Sequence, residues 1–377
     1  MNEFERGFIM TRVLTVIGAR PQWMKASALS RALKDAKWGI EERVLHTGQH
    51  YSDNMAGSFV KELDLPRAHH ALTVSTDPAE RMGQMMGGIQ AAIRKDQPAA
   101  VLLFGDTDST LAGAWAASRE CIPAVHIEAG LRSFDRRMPE EINRILTDSL
   151  SDLLFCPSEA AVRLLADEGI STGVRNTVRV EVSGDLMLDT ARFFGGQPVA
   201  SSADAKSVLL TMHRPSNVDN PERLAAWISN IGQAAKSRGW QVIFPVHPRT
   251  AKMAEIALGA RWKGVMGEQN IQVKEPASYL QMIEWLKQVR QVWTDSGGLQ
   301  KEAYFMHRPA VILRNSSEWT ELLDSGVAAL CPETTDLHDC VDRMENQMQS
   351  MDFNVPLYGD GNAAQFIAQT LYDWLKK

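Results

Sequence analysis

The chain is predicted to be an α/β protein with two doubly wound domains, each built on a parallel sheet. Its 377 residues, 44% of them hydrophobic, exceed the roughly 250–300 at which a single core usually stops growing. Short apolar strands alternate with amphipathic helices along its length, and that alternation restarts once, after a polar stretch at residues 195–206.

The first domain, residues 10–195, opens with an apolar strand at 13–17, a helix through 26–33 and a strand at 43–46. Further strands follow at 100–104, 124–127, 152–156 and 178–182, each closed by a polar or glycine turn. Residues 195–206 read as the hinge, with no fixed-period repeat or low-complexity tract to interrupt the plan. The second domain, residues 206–360, carries strands at 208–212, 242–246, 292–294, 310–313 and 328–330. A last amphipathic helix lies within 361–377. In open parallel sheets ligands bind beyond the carboxyl ends of the strands, so those ends are where functional residues are expected.

Composition narrows the ligand. A net charge of −6 argues against broad nucleic-acid binding while allowing a locally basic site for a small anion. Cys121, Cys156, Cys331 and Cys340 lie far apart with no CxxC spacing and read as small core residues in a reducing cytoplasm. No metal site is expected, since His69 and His70 lack companions at ligand spacing. No segment approaches the ~18 apolar residues of a membrane span, Met1 to Met10 lack the features expected of a leader, and Met10 is a candidate alternative start. The ten tryptophans are scattered, as packing residues are. A P-loop is missing. The one dinucleotide-like run, Gly359-Asp360-Gly361-Asn362-Ala363-Ala364, has no second strand after it, so no cofactor is expected.

The most informative segment is Thr294-Asp295-Ser296-Gly297-Gly298, an apolar strand passing through a small-residue turn into a helix. Glycines let backbone approach a phosphate, Ser296 offers a hydroxyl, and the free N–H groups of a helix start favour negative charge. Glu302, expected on the first turns of that helix, suits two hydroxyls of a ribose. The first strand ends in Gly18-Ala19-Arg20-Pro21-Gln22-Trp23-Met24-Lys25, presenting Arg20 for a two-pronged phosphate contact and Lys25 as a point charge beside it. Asp106, after the strand at 100–104, suits either a helix N-cap or a catalytic carboxylate, and its segment alone favours the cap. Glu128, at the end of the strand at 124–127, has the apolar surroundings that suit proton transfer. Glu140 and Glu141 follow Pro139, where acids also serve a helix start. His213 and Arg214, directly after a strand, are a histidine and an arginine placed to meet an anion.

Together, Gly18-Ala19-Arg20-Pro21, Thr47-Gly48-Gln49-His50-Tyr51, Gly105-Asp106-Thr107, Ile127-Glu128-Ala129-Gly130-Leu131-Arg132, Pro139-Glu140-Glu141-Ile142-Asn143-Arg144 and Thr294-Asp295-Ser296-Gly297-Gly298 resemble the non-hydrolysing UDP-N-acetylglucosamine 2-epimerase family over nearly the whole chain. The resemblance implies a GT-B fold, with two Rossmann-like domains facing a central cleft and the terminal helix crossing back to the first. It also implies a cytoplasmic homodimer acting on a UDP-sugar without cofactor. By resemblance, Lys25, Asp106, Glu128, Glu140 and His213 take catalytic positions, while Arg20, Arg132, Arg214, Ser296, Gly297, Gly298 and Glu302 bind substrate. The chemistry implied is loss of the C2 proton with departure of UDP, then re-addition. Several segments, among them Gly184-Asp185 and Glu318-Trp319, are similar to the branch acting on UDP-2,3-diacetamido-2,3-dideoxyglucuronate. Gln49-His50-Tyr51-Ser52 departs from the Gln-His-Arg-x-Met type of segment found in members regulated by a second substrate molecule. A uronate calls for a further cation, for which Arg136 and Arg137 are candidates. The alternatives weighed against epimerisation are a hydrolysing epimerase, a GT-B glycosyltransferase and a non-catalytic UDP-sugar sensor.

Overall fold

A computed structural model describes residues 10–49, 67–173, 178–198 and 205–376. Its contacts divide the chain into one unit of Met1–Thr190 with Tyr358–Lys377 and another of Ala191–Leu357.

The first unit contains strands β1 (Thr11–Ile17), β2 (Ile40–His46), β3 (His70–Ala71), β4 (Ala100–Phe104), β5 (Ala124–Ile127), β6 (Leu153–Cys156) and β7 (Arg179–Val182). They form a seven-stranded sheet in the order β3-β2-β1-β4-β5-β6-β7, every pair parallel. Helices α1 (Arg20–Leu33), α2 (Pro78–Asp96), α3 (Asp108–Arg119), α4 (Pro139–Leu150) and α5 (Glu159–Asp167) connect them, and α6 (Leu186–Gly195) follows. Successive side chains of a strand point to opposite faces, which splits β1 between two cores. Val13 and Ile17 pack with Leu29, Phe104 and Phe155 on one face. Leu14 and Val16 pack with Leu45, Ile89 and Leu103 on the other.

The second unit contains β8 (Ser207–Thr211), β9 (Gln241–Pro245), β10 (Ile271–Lys274), β11 (Gln291–Thr294), β12 (Ala310–Ile312) and β13 (Ala328–Leu330). These form a parallel six-stranded sheet, β10-β9-β8-β11-β12-β13. Its helices are α7 (Pro215–Val218), α8 (Pro221–Ser237), α9 (Pro248–Leu258), α10 (Trp262–Glu268), α11 (Tyr279–Gln288), α12 (Gly297–Phe305), α13 (Thr320–Asp324) and α14 (Leu337–Gln347). Trp227, Phe244 and Trp293 fill the centre of its core. The terminal helix α15 (Ala363–Leu375) belongs to the first unit, where Ile367, Ala368 and Leu371 join the core that holds Leu29 of α1.

Two strands escape the sequence pattern, β3 and β10, and both lie at a sheet edge. β3 has two residues, and in β10 only Ile271 is buried, so neither offers the apolar run from which a strand is read. Helix α1 begins at Arg20, earlier than the expected 26, and the units divide at Thr190, within α6 and ahead of the 195–206 stretch.

In both sheets the third, second, first and fourth strands lie side by side, so the winding reverses between β1 and β4 and again between β8 and β11. Ligands bind open α/β sheets at such switch points. The motif residues Gly18 and Gly105 follow β1 and β4, while His213 and Asp295 follow β8 and β11.

Candidate functional site

The site residues form two groups, one in each unit. In the first, the β1–α1 turn is held by Gln22, a buried amide with every role used. Its Oε1 accepts the N–H groups of Gly18 and Ala19 at 2.8 and 3.0 Å, and its Nε2 donates to the Phe104 carbonyl and Thr110 Oγ1 at 2.8 and 2.9 Å. This amide ties the first-strand turn to the end of β4 and starts α1 at Arg20. A Cβ on Gly18 would lie 2.0 Å from Ser109 Oγ, so only glycine fits there. One turn along α1, buried Lys25 reaches Glu128 in a direct ion pair. Glu128 has φ of 72°, a conformation side chains resist and one often found at functional sites.

Asp106 pairs with Arg144 of α4. It does not cap a helix, because Thr107 caps α3 by accepting from the Thr110 N–H, and this corrects the cap expected from the segment alone. The two acids of α4 also part company. Glu140 is exposed on the first turn, whereas Glu141 is buried and accepts from Ser133 N–H, Ser133 Oγ and Phe134 N–H at 2.7, 2.9 and 3.0 Å. Burial works against the charge of Glu141, but those donors and Arg144 outweigh it and hold its pKa low. Burial would also weaken the Arg144 cation, yet Asp106, Glu128 and Glu141 together raise its pKa. Arg144 is therefore the hub of three carboxylates, a role not assigned to it from sequence. Its spacing from Glu141 on an amphipathic helix was the available signal.

Arg132 requires a correction. Expected to bind substrate, it is buried with its donors committed internally. Its Nε and Nη2 hold Glu168 at 2.7 and 2.6 Å, and Nη1 lies 2.7 Å from both the Leu131 carbonyl and Asp148 Oδ2. Arg136 and Arg137 are both exposed, Arg137 with an ion pair to both oxygens of Asp135 at 2.8 Å. His50 and Tyr51 lie outside the described residues.

In the second unit, Asp295 is the post on which the site is built, and sequence reasoning gave it no role. Fully buried, it accepts the backbone N–H groups of His213 and Arg214 at 3.0 and 2.9 Å and Asn217 Nδ2 at 3.1 Å. Both residues after β8 are thereby set beside the glycine turn after β11, and a Cβ built on Gly297 would lie 3.9 Å from Arg214 Nη2. Ser296 occupies the N-cap position of α12 without a side-chain capping bond. Gly298 has nothing within 4 Å of its Cβ direction, leaving the turn open to an approaching group. Glu302 is half-buried on the second turn of α12, within the first turns on which it was expected. The His213 imidazole sits 3.4 Å from Asp295 and faces His247, with ring centroids 6.1 Å apart. Burial, with Arg214 and His247, pushes its pKa below the ordinary value against the pull of Asp295. This half offers the Arg214 cation, an imidazole able to take up a proton, a hydroxyl and the N–H groups of a helix start, the set a diphosphate needs. Among the described residues no cluster of three or more His, Cys, Asp or Glu could hold a metal, and no helix is long and apolar enough to cross a membrane.

Two doubly wound sheets, each with polar groups gathered at its switch point, define a GT-B protein of the kind that handles nucleotide sugars. A family model described as UDP-N-acetylglucosamine 2-epimerase matches residues 31–372, and the chain belongs to this family of isomerases. It is 40% identical to the UDP-2,3-diacetamido-2,3-dideoxy-D-glucuronate 2-epimerase of Pseudomonas aeruginosa, over 96% of this chain and 99% of that one. It is 36% identical to the UDP-N-acetylglucosamine 2-epimerase of Methanocaldococcus jannaschii, over 94% and 97%. A crystal structure of a Methanocaldococcus jannaschii UDP-GlcNAc 2-epimerase in complex with UDP-GlcNAc and UDP superposes with a TM-score of 0.78 at 34% identity, covering 96% of this chain and 98% of that one.

Proposed function

We propose that the protein is a non-hydrolysing UDP-N-acetyl-sugar 2-epimerase that interconverts gluco and manno configurations by eliminating and re-adding UDP. The observation that carries this is the Lys25–Glu128 ion pair on a strained strand end, in a chain of this family. Carbon 2 of the sugar has no adjacent ketone, so removing its proton alone is unfavourable. A carboxylate that takes the proton lets the C–H electrons form a C1=C2 bond while the C1–O bond breaks and UDP departs with its pair. Protonation of C2 on the other face and return of the UDP oxygen to C1 complete inversion. Asp106, Glu128 and Glu140 supply the acid and base groups with Lys25 beside them. Arg20, Arg214 and His213 meet the diphosphate, and Ser296, Gly297, Gly298 and Glu302 hold UDP. The setting we assign is a cytoplasmic homodimer serving surface polysaccharide synthesis.

A second substrate reading, UDP-2,3-diacetamido-2,3-dideoxyglucuronate, is favoured by the 40% identical relative. Proton NMR in D₂O with each UDP-sugar, and no added cofactor, tests both. Deuterium at C2 with a manno product identifies the substrate. Free sugar with UDP would point to a hydrolysing enzyme, and exchange with neither would overturn the reading.

His213 yields a pH signature. Its pKa is lowered in the free protein, and a bound diphosphate raises it, so UDP binding takes up a proton and tightens as pH falls through His213's range. Calorimetry near pH 6.5 in buffers of different ionisation enthalpy is expected to show greater proton uptake for the wild type than for His213→Asn, by up to about one proton. Equal uptake would remove His213 from the diphosphate.

A further inference from the structure

Beneath the first-unit site lies a charged group that the proposed chemistry does not use. His126 is fully buried on β5, its Nδ1 2.7 Å from Asp148 Oδ1 and its Nε2 2.7 Å from the carbonyl oxygen of Gly105. That carbonyl only accepts, so Nε2 carries a proton and donates to it. The other carboxylate oxygen of Asp148 accepts from Arg132 and, at 3.3 Å, from the Gly130 N–H. One carboxylate on α4 therefore anchors the chain two residues before Glu128 and two residues after it.

Between those anchors the backbone is held in a conformation it resists. Glu128 has φ of 72°, and its N–H and that of Ala129 both donate to the Phe155 carbonyl at 3.0 Å. Across from it Gly105, with φ of 66°, comes so close that a Cβ would stand 3.2 Å from Glu128 Oε2 and 3.4 Å from Lys25 Nζ. The Gly105 turn and the Glu128 carboxylate must therefore keep a fixed spacing, and His126 links them from its side chain while the Gly105 N–H donates to the Ile127 carbonyl at 2.9 Å.

We infer that His126 and Asp148 form a positioning pair, which holds the Glu128 backbone and the Gly105 turn in register so that the Glu128 carboxylate stays against Lys25. Its link to turnover rests on Glu128 acting in proton transfer as proposed above. A displacement of about 1 Å at a reacting group costs on the order of 100-fold. His126→Leu removes both hydrogen bonds, whereas His126→Gln retains an N–H within reach of the Gly105 carbonyl.

The test uses the full chain below each variant's melting transition, with two readouts. His126→Leu is expected to lower kcat about 100-fold with KM changed less than about threefold, and His126→Gln to recover about tenfold of that loss. The ¹³C carboxyl resonance of Glu128, assigned by its loss in Glu128→Gln, is expected to move in His126→Leu and return toward the wild-type position in His126→Gln. An unmoved resonance, a wild-type kcat in His126→Leu, or equal losses in both variants that follow only their folded fraction would overturn the inference. A wild-type protein that exchanges no C2 proton would sink the epimerase reading instead, and the Glu128 resonance would still decide the positioning role.

Discussion

Replacing Glu128 by Gln is expected to slow C2 proton exchange by about 10²- to 10⁴-fold, the range that general acid–base groups contribute. UDP affinity should stay within about twofold. The amide keeps the size of the side chain but cannot accept the proton, and it leaves the buried Lys25 ammonium without its carboxylate. Nothing in the second unit changes, where Asp295 still holds the backbone of His213 and Arg214 against the glycine turn. Deuterium incorporation followed by NMR, with calorimetry of UDP binding as the control, separates the two effects. Full exchange in this variant would reject Glu128 as a proton-transfer group.

Arg132→Met is expected to act on stability instead of substrate binding. It leaves Asp148, whose side chain is wholly buried, without its guanidinium. Breaking a buried ion pair from one side costs about 3–5 kcal/mol. The lower end applies here, because Glu168, the other partner, is 36% exposed and screened by solvent. Urea unfolding at neutral pH should show a loss of about 3 kcal/mol, with KM within about twofold of wild type. A tenfold rise in KM at unchanged stability would return Arg132 to the substrate.

Arg132 and Arg144 mark the limit of what the sequence conveys. Both stand in distinctive motifs, and one was assigned to the ligand and the other to nothing. In the fold Arg132 is enclosed by Glu168 and Asp148, while Arg144 gathers Asp106, Glu141 and the field of Glu128. Which carboxylate meets which guanidinium depends on how α4 packs against α3 and β5 and on where α5 ends, and no local spacing encodes that. Thr107 displaced Asp106 as a cap for a similar reason. Either residue type suits the position, and the pull of Arg144, remote in sequence, decided between them.

By itself the sequence determined the alternation of strands and helices and the glycine turns at the strand ends. Periodicity and turn chemistry act between near neighbours, and so they are written in consecutive residues. The tertiary structure decided the edge strands, the division of Glu140 and Glu141 between solvent and core, and the posts His126, Asp148 and Asp295. Each of these depends on burial and on partners brought together across the fold, and the cost of leaving a buried charge or donor unpaired selects among them only once the sheets are packed.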